Sequence, residues 1–243
     1  GGEGSSAFYV RGGNAGSNLV SLDGVPIYGA SHLLGFTSVY SPDVISSMEF
    51  QVGGFTSDEG NLTASHLKLF SGDGDFTKMD ARVRASNFIL SGNVSMPVIK
   101  DKMSFIGALR VSPIGLEFGM IKTISSALDS ISRPRAFVYD AFGKLIWKVD
   151  KSRSLSLSIF NSVDAYRYGY GSDSDERMQW SNLICNFRYE SLLENSWKFL
   201  GDASYNRFRN SQGMVKTLGS TVNDVAVRSA IDEVTLHGMF SHN

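Results

Sequence analysis

The chain has 243 residues, is 42% apolar with a mean hydropathy of -0.08, and is long enough for one large or two small domains. Its formal net charge of -1 argues against a nucleic-acid partner held by phosphate neutralisation. No apolar run approaches the roughly 20 residues of a membrane helix, so a spanning role is open only to the strands of a β-barrel.

Residues 1–7, GGEGSSA, read as a linker-like stub. The spacing of Gly2, Gly4 and Ala7 loosely suggests a dinucleotide loop, but no strand precedes it and no helix follows. No signal peptide is visible, and an exported protein needs one, so the expected start lies upstream. FYVRGG is a short strand entering a turn, with Arg11 and Gly12 at the turn. NLVSL and VPIY are two more apolar runs around Asp23-Gly24, a pair suited to a two-residue hairpin turn because both positions need positive φ. Pro26 opens the second run. Residues 29–40 carry glycines and aromatics without a period and read as an ordered loop. Ser41-Pro42-Asp43 is a helix start, with a cap, a proline at the first position and an acid at the positive dipole end. MEFQV turns strand-like within about five residues and Gly53-Gly54 stops it, so that helix is short. TASHLKLF closes a small mixed α/β unit.

SGDGDF (71–76) is a turn and the expected domain junction. Asp73, Asp75 and Asp80 lack the glycine and terminal glutamate of a calcium loop and read as a solvated acidic turn. From Phe76 the period is two. Val83, Leu90, Val94 and Met96 begin one apolar face. Phe105, Leu109, Phe137, Leu145, Leu157, Ile159, Leu183, Phe187, Phe199, Leu236 and Phe240 extend it over about eight strands. Cys185, the single cysteine, sits mid-strand as a structural residue and rules out a disulfide framework. KDK (100–102), KSRS (151–154) and LLENS (192–196) are tight turns. Residues 113–135, 169–178 and 209–230 read as long connections, the first with a short helix in IKTISSALDSI. Short turns at one end and long loops at the other suit an outer-membrane barrel. Trp147, Trp180 and Trp197 fall near strand ends, as an interface girdle requires. A soluble β-sandwich also alternates strands and turns, and by pattern alone the two architectures stay open.

No catalytic set appears. His32, His66, His237 and His242 do not pair at metal-ligand spacing, and there is no nucleophile elbow. Asn61-Leu-Thr63 and Asn93-Val-Ser95 match a glycosylation sequon without further support. The chain reads as a non-enzyme with no cofactor and no metal.

The ordered stretches YVRGG, LDGVPIY and HLLGFTSVYSPDVISSMEFQVGGF resemble the second half of the plug domain of TonB-dependent outer-membrane receptors, in the branch common in Bacteroidetes-type bacteria. Roughly sixty residues follow the pattern. The chain departs from it in SDEGNLTASHLKLF, where only Gly60 stands in place of the usual aromatic–glycine step. The resemblance implies a fragment. Residues 1–72 would be the C-terminal part of a mixed α/β plug. Residues 73–243 would be the first strands, about eight, of an antiparallel transmembrane β-barrel of about 22 strands, since eight alone are too narrow to enclose a plug. It implies energy-coupled uptake of a nutrient ligand (siderophore, glycan or peptide) in the bacterial outer membrane, with the plug gating the barrel. The implied partners are the TonB energy-transducing complex, acting through a segment outside this chain, outer-membrane lipids, and a surface lipoprotein. The alternative is a non-transporting surface binding or signalling receptor. On this resemblance the apical plug loops supply ligand contacts: Asn14, Ser17 and Asn18 after the first strand, and Tyr28, His32, Phe36 and Tyr40 after the second. The competing role for these aromatics is to seat the plug on the wall. Arg11, Gly12, Asp23, Gly24 and Pro26 are structural, with Arg11 a plug-to-barrel partner and Asp23 a turn former.

Overall fold

The computed structural model describes residues 18–32, 37–53, 65–86, 89–112, 131–170, 174–218 and 221–242. Its first part is a small mixed sheet. β1 (Asn18–Leu22), β2 (Val25–Pro26), β5 (Ile45–Gln51) and β6 (Ser65–Ser71) lie in the order β2-β1-β6-β5, with β1 and β6 parallel. Asp23 and Gly24 turn β1 into β2 with φ of 50° and 87°, the double positive φ that a primed two-residue turn demands. A separate ladder joins β3 (Ser31–His32) to β4 (Thr37–Ser38).

The second part is a single antiparallel meander of eight strands in strict chain order. It comprises β7 (Asp80–Ala85), β8 (Leu90–Ile99), β9 (Met103–Ser112), β10 (Ile131–Lys148), β11 (Arg153–Tyr170), β12 (Ser174–Leu192), β13 (Trp197–Leu218) and β14 (Thr221–His242). Among the described wall residues, the prolines sit where the ladder slips: Pro97 beside the register shift in β8, and Pro134 within the shift between Ser132 and Arg135 in β10.

The two phases of each wall strand meet different surroundings. Leu109, Phe137, Trp147, Leu157, Ile159, Phe187, Trp197, Val234, Leu236 and Phe240 stand exposed on the outer face. The opposite phase of β9–β12 is buried: Ile106, Ala108, Phe142, Phe160 and Ile184 join Val20, Leu22, Val25, Ile27, Val39, Val44 and Leu69 of the small sheet in one apolar core. The small sheet therefore packs on the inner face of the wall strands β9–β12. Burying those side chains, at roughly 1.5–3 kcal/mol each, is what docks one part on the other.

Four expectations change. Among the described residues there is no α-helix, so the mixed α/β character of the first part reduces to a mixed β-sheet and one 3-10 turn, Pro42–Val44. Ser41 makes no side-chain cap, and the chain leaves the turn at once because Ile45–Gln51 pairs with β6. The described residues of 169–178 and 209–230 are strand. Their polar composition suggested loops, yet a strand that continues past an apolar band no longer needs an apolar face. Trp180 points inward: its ring stacks on Tyr166 at 5.3 Å and a Cβ on Gly29 would lie 3.5 Å from it. Its strand phase, shared with Asn182 and Ile184, decides this, and its place along the strand does not. The expected helix in IKTISSALDSI lies outside the described residues.

Candidate functional site

The seam between the small sheet and the wall has two anchor points, built from residues of opposite strand phase to the exposed apolar ones. The upper anchor centres on His32 in β3, 2% exposed. Its Nδ1 lies 2.5 Å from Asp164 Oδ2 on β11, and its Nε2 lies 3.2 Å from Asp140 Oδ2 on β10. A carboxylate only accepts, so both ring nitrogens must carry hydrogen and the ring is an imidazolium. Arg110 on β9 donates Nε to Asp140 at 2.8 Å and Nη2 to the Ser38 carbonyl at 2.8 Å. The Tyr166 hydroxyl donates to Asp164 at 2.8 Å. Two cations and two anions balance only when His32 is charged. Burial works against that charge, but the hydrogen bonds and negative fields of Asp140 and Asp164 outweigh it, and His32 titrates above the ordinary 6.5. A cavity of about 10 Å³ beside His32, Arg110 and Asp140 has room for one water at most.

The lower anchor centres on Asp23. Its carboxylate accepts the Ser71 backbone N–H at 2.9 Å and the Ser71 hydroxyl at 2.5 Å, tying β1 to β6. Its backbone carbonyl accepts Arg188 Nη2 from β12 at 2.9 Å, while Arg188 Nε donates to Asp202 at 2.6 Å. Lys144 on β10 donates to Ser71 Oγ at 3.0 Å and to Asp73 at 3.1 Å. Between the anchors, Asn206 donates to the Pro26 carbonyl at 2.8 Å and Asn182 accepts the Tyr28 N–H at 3.2 Å. Asp75 holds the junction turn, accepting from Thr77 and Lys78, so the three junction acids Asp73, Asp75 and Asp80 serve three separate partners.

The structure places the anticipated site residues as follows. Asn18 accepts a hydrogen bond from Ser65 at 2.7 Å, within the small sheet. The Tyr28 ring rests on Phe208 at 5.7 Å, and its hydroxyl reaches Glu233 at 3.3 Å. Burial and then Glu233 push that hydroxyl's titration up. Tyr40 packs against the shared core, and burial raises it, partly offset by Arg110. His32 has both nitrogens committed to the wall in this arrangement. Asn14, Ser17, Phe36, Arg11 and Gly12 lie outside the described residues. Sequence reasoning missed Arg110, Asp140, Lys144, Asp164 and Arg188. The available signal was their phase. Charges on the face opposite the apolar one of a spanning strand must look into a lumen, and something there must pair them.

With this geometry in view, the chain is similar to the crystal structure of the siderophore receptor PirA from Acinetobacter baumannii, with a TM-score of 0.62 and 17% sequence identity. The likeness covers 93% of this chain and 37% of that one, so the chain spans well under half of the receptor's length. It takes in the small sheet as well as the wall. No family model and no curated protein matches. The likeness shows that the chain shares the fold of part of that receptor. The neighbour is a receptor and not an enzyme.

Proposed function

We propose that the chain is a portion of a TonB-dependent outer-membrane receptor, in which residues 1–72 are plug and 73–243 are barrel wall. On this reading the receptor takes up a nutrient ligand (a siderophore, glycan or peptide) from outside the cell, and the plug gates the route. The observation that supports it is the filled wall: the strands turn an apolar face outward and a polar, charge-bearing face inward, and the small sheet occupies that inner face. A soluble sandwich would bury its apolar faces against each other, whereas here Leu157 and Ile159 stand 56% and 51% exposed beside the buried Ser158 and Phe160. The TonB complex acts through a segment outside this chain, and a surface lipoprotein is a candidate partner. Tyr28, Asn14, Ser17, Asn18 and Phe36 are the candidate ligand contacts on this reading. His32 and Tyr40 mainly seat the plug.

The test is uptake by cells carrying the intact gene. A panel of labelled ferric siderophores, oligosaccharides and peptides is offered with and without a protonophore. Accumulation of one class, abolished by the protonophore and by deletion of the energising complex, is expected. Binding without accumulation would replace transport with surface binding or signalling.

A further inference from the structure

The wall exchanges the character of its two faces partway up. Near the tight turns the outer phase is apolar, as at Leu157, Leu183 and Phe187, and the inner phase is polar, as at Ser158, Asn186 and Asp202. Higher on β12–β14 the outer phase carries Arg177, Arg207, Arg209 and Arg228. The inner phase there carries Met178, Trp180, Phe208, Met214, Val227 and Ile231. No register shift interrupts the β12–β13 or β13–β14 ladder, so the backbone keeps its phase and the residue types change sides. The inner face of a membrane barrel is ordinarily polar, and this stretch departs from that.

The register sets the inner rows. Phe208 lies between Asn182 and Ile231, Gln212 between Met178 and Val227, and Met214 between Glu176 and Val225. The small sheet meets the lowest of these rows: the Tyr28 ring rests 5.7 Å from Phe208, and Gly29 backs onto Trp180 and Phe208. Higher up, Met214 is 45% exposed although β12 and β14 flank its strand, so this is not the exposure of a sheet edge. An apolar patch that continues the plug–wall contact and opens above it is a surface for an apolar ligand. The charges restrict the ligand further. Among the described inner-phase residues of β12–β14 from Glu233 upward, they are Glu176, Glu233 and Lys216. That set holds no arginine fork to receive an anionic iron chelate. A glycan needs hydrogen-bond partners that valine, isoleucine and methionine do not offer. Methionines, unbranched and adaptable, accept apolar side chains of varied shape, and the two acids favour a cationic amino terminus.

We propose that Phe208, Met214, Val225, Val227 and Ile231 form the ligand-facing wall above the plug, and that the ligand they take is a peptide with apolar side chains and a free amino terminus. Its side chains lie on the methionine and aliphatic rows, and Gln212 among them pairs with its backbone amides. The inference rests on the receptor reading above and narrows its ligand class.

The experiment uses cells carrying the intact gene. A tritiated hexapeptide of alternating leucine and valine is offered beside an acidic hexapeptide of glutamate and serine, a ferric catecholate and a glucose oligosaccharide. Equilibrium binding is read in de-energised cells and normalised to the amount of receptor in the outer membrane. The wild type is expected to prefer the apolar peptide. Each of two apolar contacts contributes about tenfold, so M214Q/V227Q binds it about 100-fold more weakly. M214L/V227I stays within about threefold of the wild type, and S211A on the outer face leaves binding unchanged. Apolar-peptide binding that M214Q/V227Q does not weaken overturns the proposal, as does preference for the acidic peptide, the chelate or the oligosaccharide. Energy-dependent accumulation of one of those other ligands would keep the receptor reading and remove only the apolar peptide. Accumulation of no class in energised cells overturns the receptor reading itself.

Discussion

The two anchors of the seam hold the same small sheet to the same wall by different chemistry. At His32 the join is charge against charge, four ionised groups sealed from water. At Asp23 the join is a turn: a carboxylate satisfied within the small sheet, and a backbone carbonyl offered to Arg188. The first depends on ionisation and on every member being present. The second depends on turn geometry. The upper end carries a histidine whose charge changes with pH, whereas the lower end adds the Lys144–Asp73 and Arg188–Asp202 pairs to its turn and has no histidine.

Breaking the upper anchor should have the largest effect. Arg110→Ala leaves two buried carboxylates facing one imidazolium and frees the Ser38 carbonyl, a loss of about 3–5 kcal/mol. Denaturant midpoints of the detergent-solubilised protein measure it, and a loss below about 1 kcal/mol would mean that the cluster is open to water. Asp23→Ala should cost less, about 1–3 kcal/mol, because it strands the Ser71 N–H and no buried charge. Its mark is faster hydrogen exchange at β1 and β6, with β3 unaffected.

Acidity separates the anchors without mutation. The folded pKa of His32 lies above 6.5, so its contribution is complete below 6.5 and is lost as pH rises through the higher folded value. Exchange at residues 31–38 should quicken over that rise, while exchange around Asp23 stays level. Parallel quickening at both places would show that the anchors are one cooperative unit. The smallest effect is expected from Tyr28→Phe, which deletes a 3.3 Å hydrogen bond to Glu233 and keeps the contact with Phe208. Stability should fall by less than about 1 kcal/mol, so a marked loss of ligand binding in that variant would report a direct contact.

Much of the wall was legible in the residues. Alternation at period two named the outer face correctly from Phe105 to Phe240, because successive side chains of a strand point to opposite faces. The Asp23-Gly24 turn was legible for a local reason: few other pairs accept positive φ twice. The helix expected after Ser41 was not there, because pairing of Ile45–Gln51 with β6 overrides a local start signal. The long upper strands were also hidden. Beyond the apolar band, hydrogen bonds to its neighbours sustain a strand, and composition no longer reports it.

The sequence by itself determined that the strands have an apolar and a polar face, where their tight turns fall, and that the first seventy residues differ in kind from the rest. These are properties of neighbouring residues and their period. Only the tertiary structure decided which polar groups face one another. His32 meets Asp140 and Asp164 across separations of 108 and 132 residues. No local pattern carries such pairings, because they are set by how the small sheet docks on the wall.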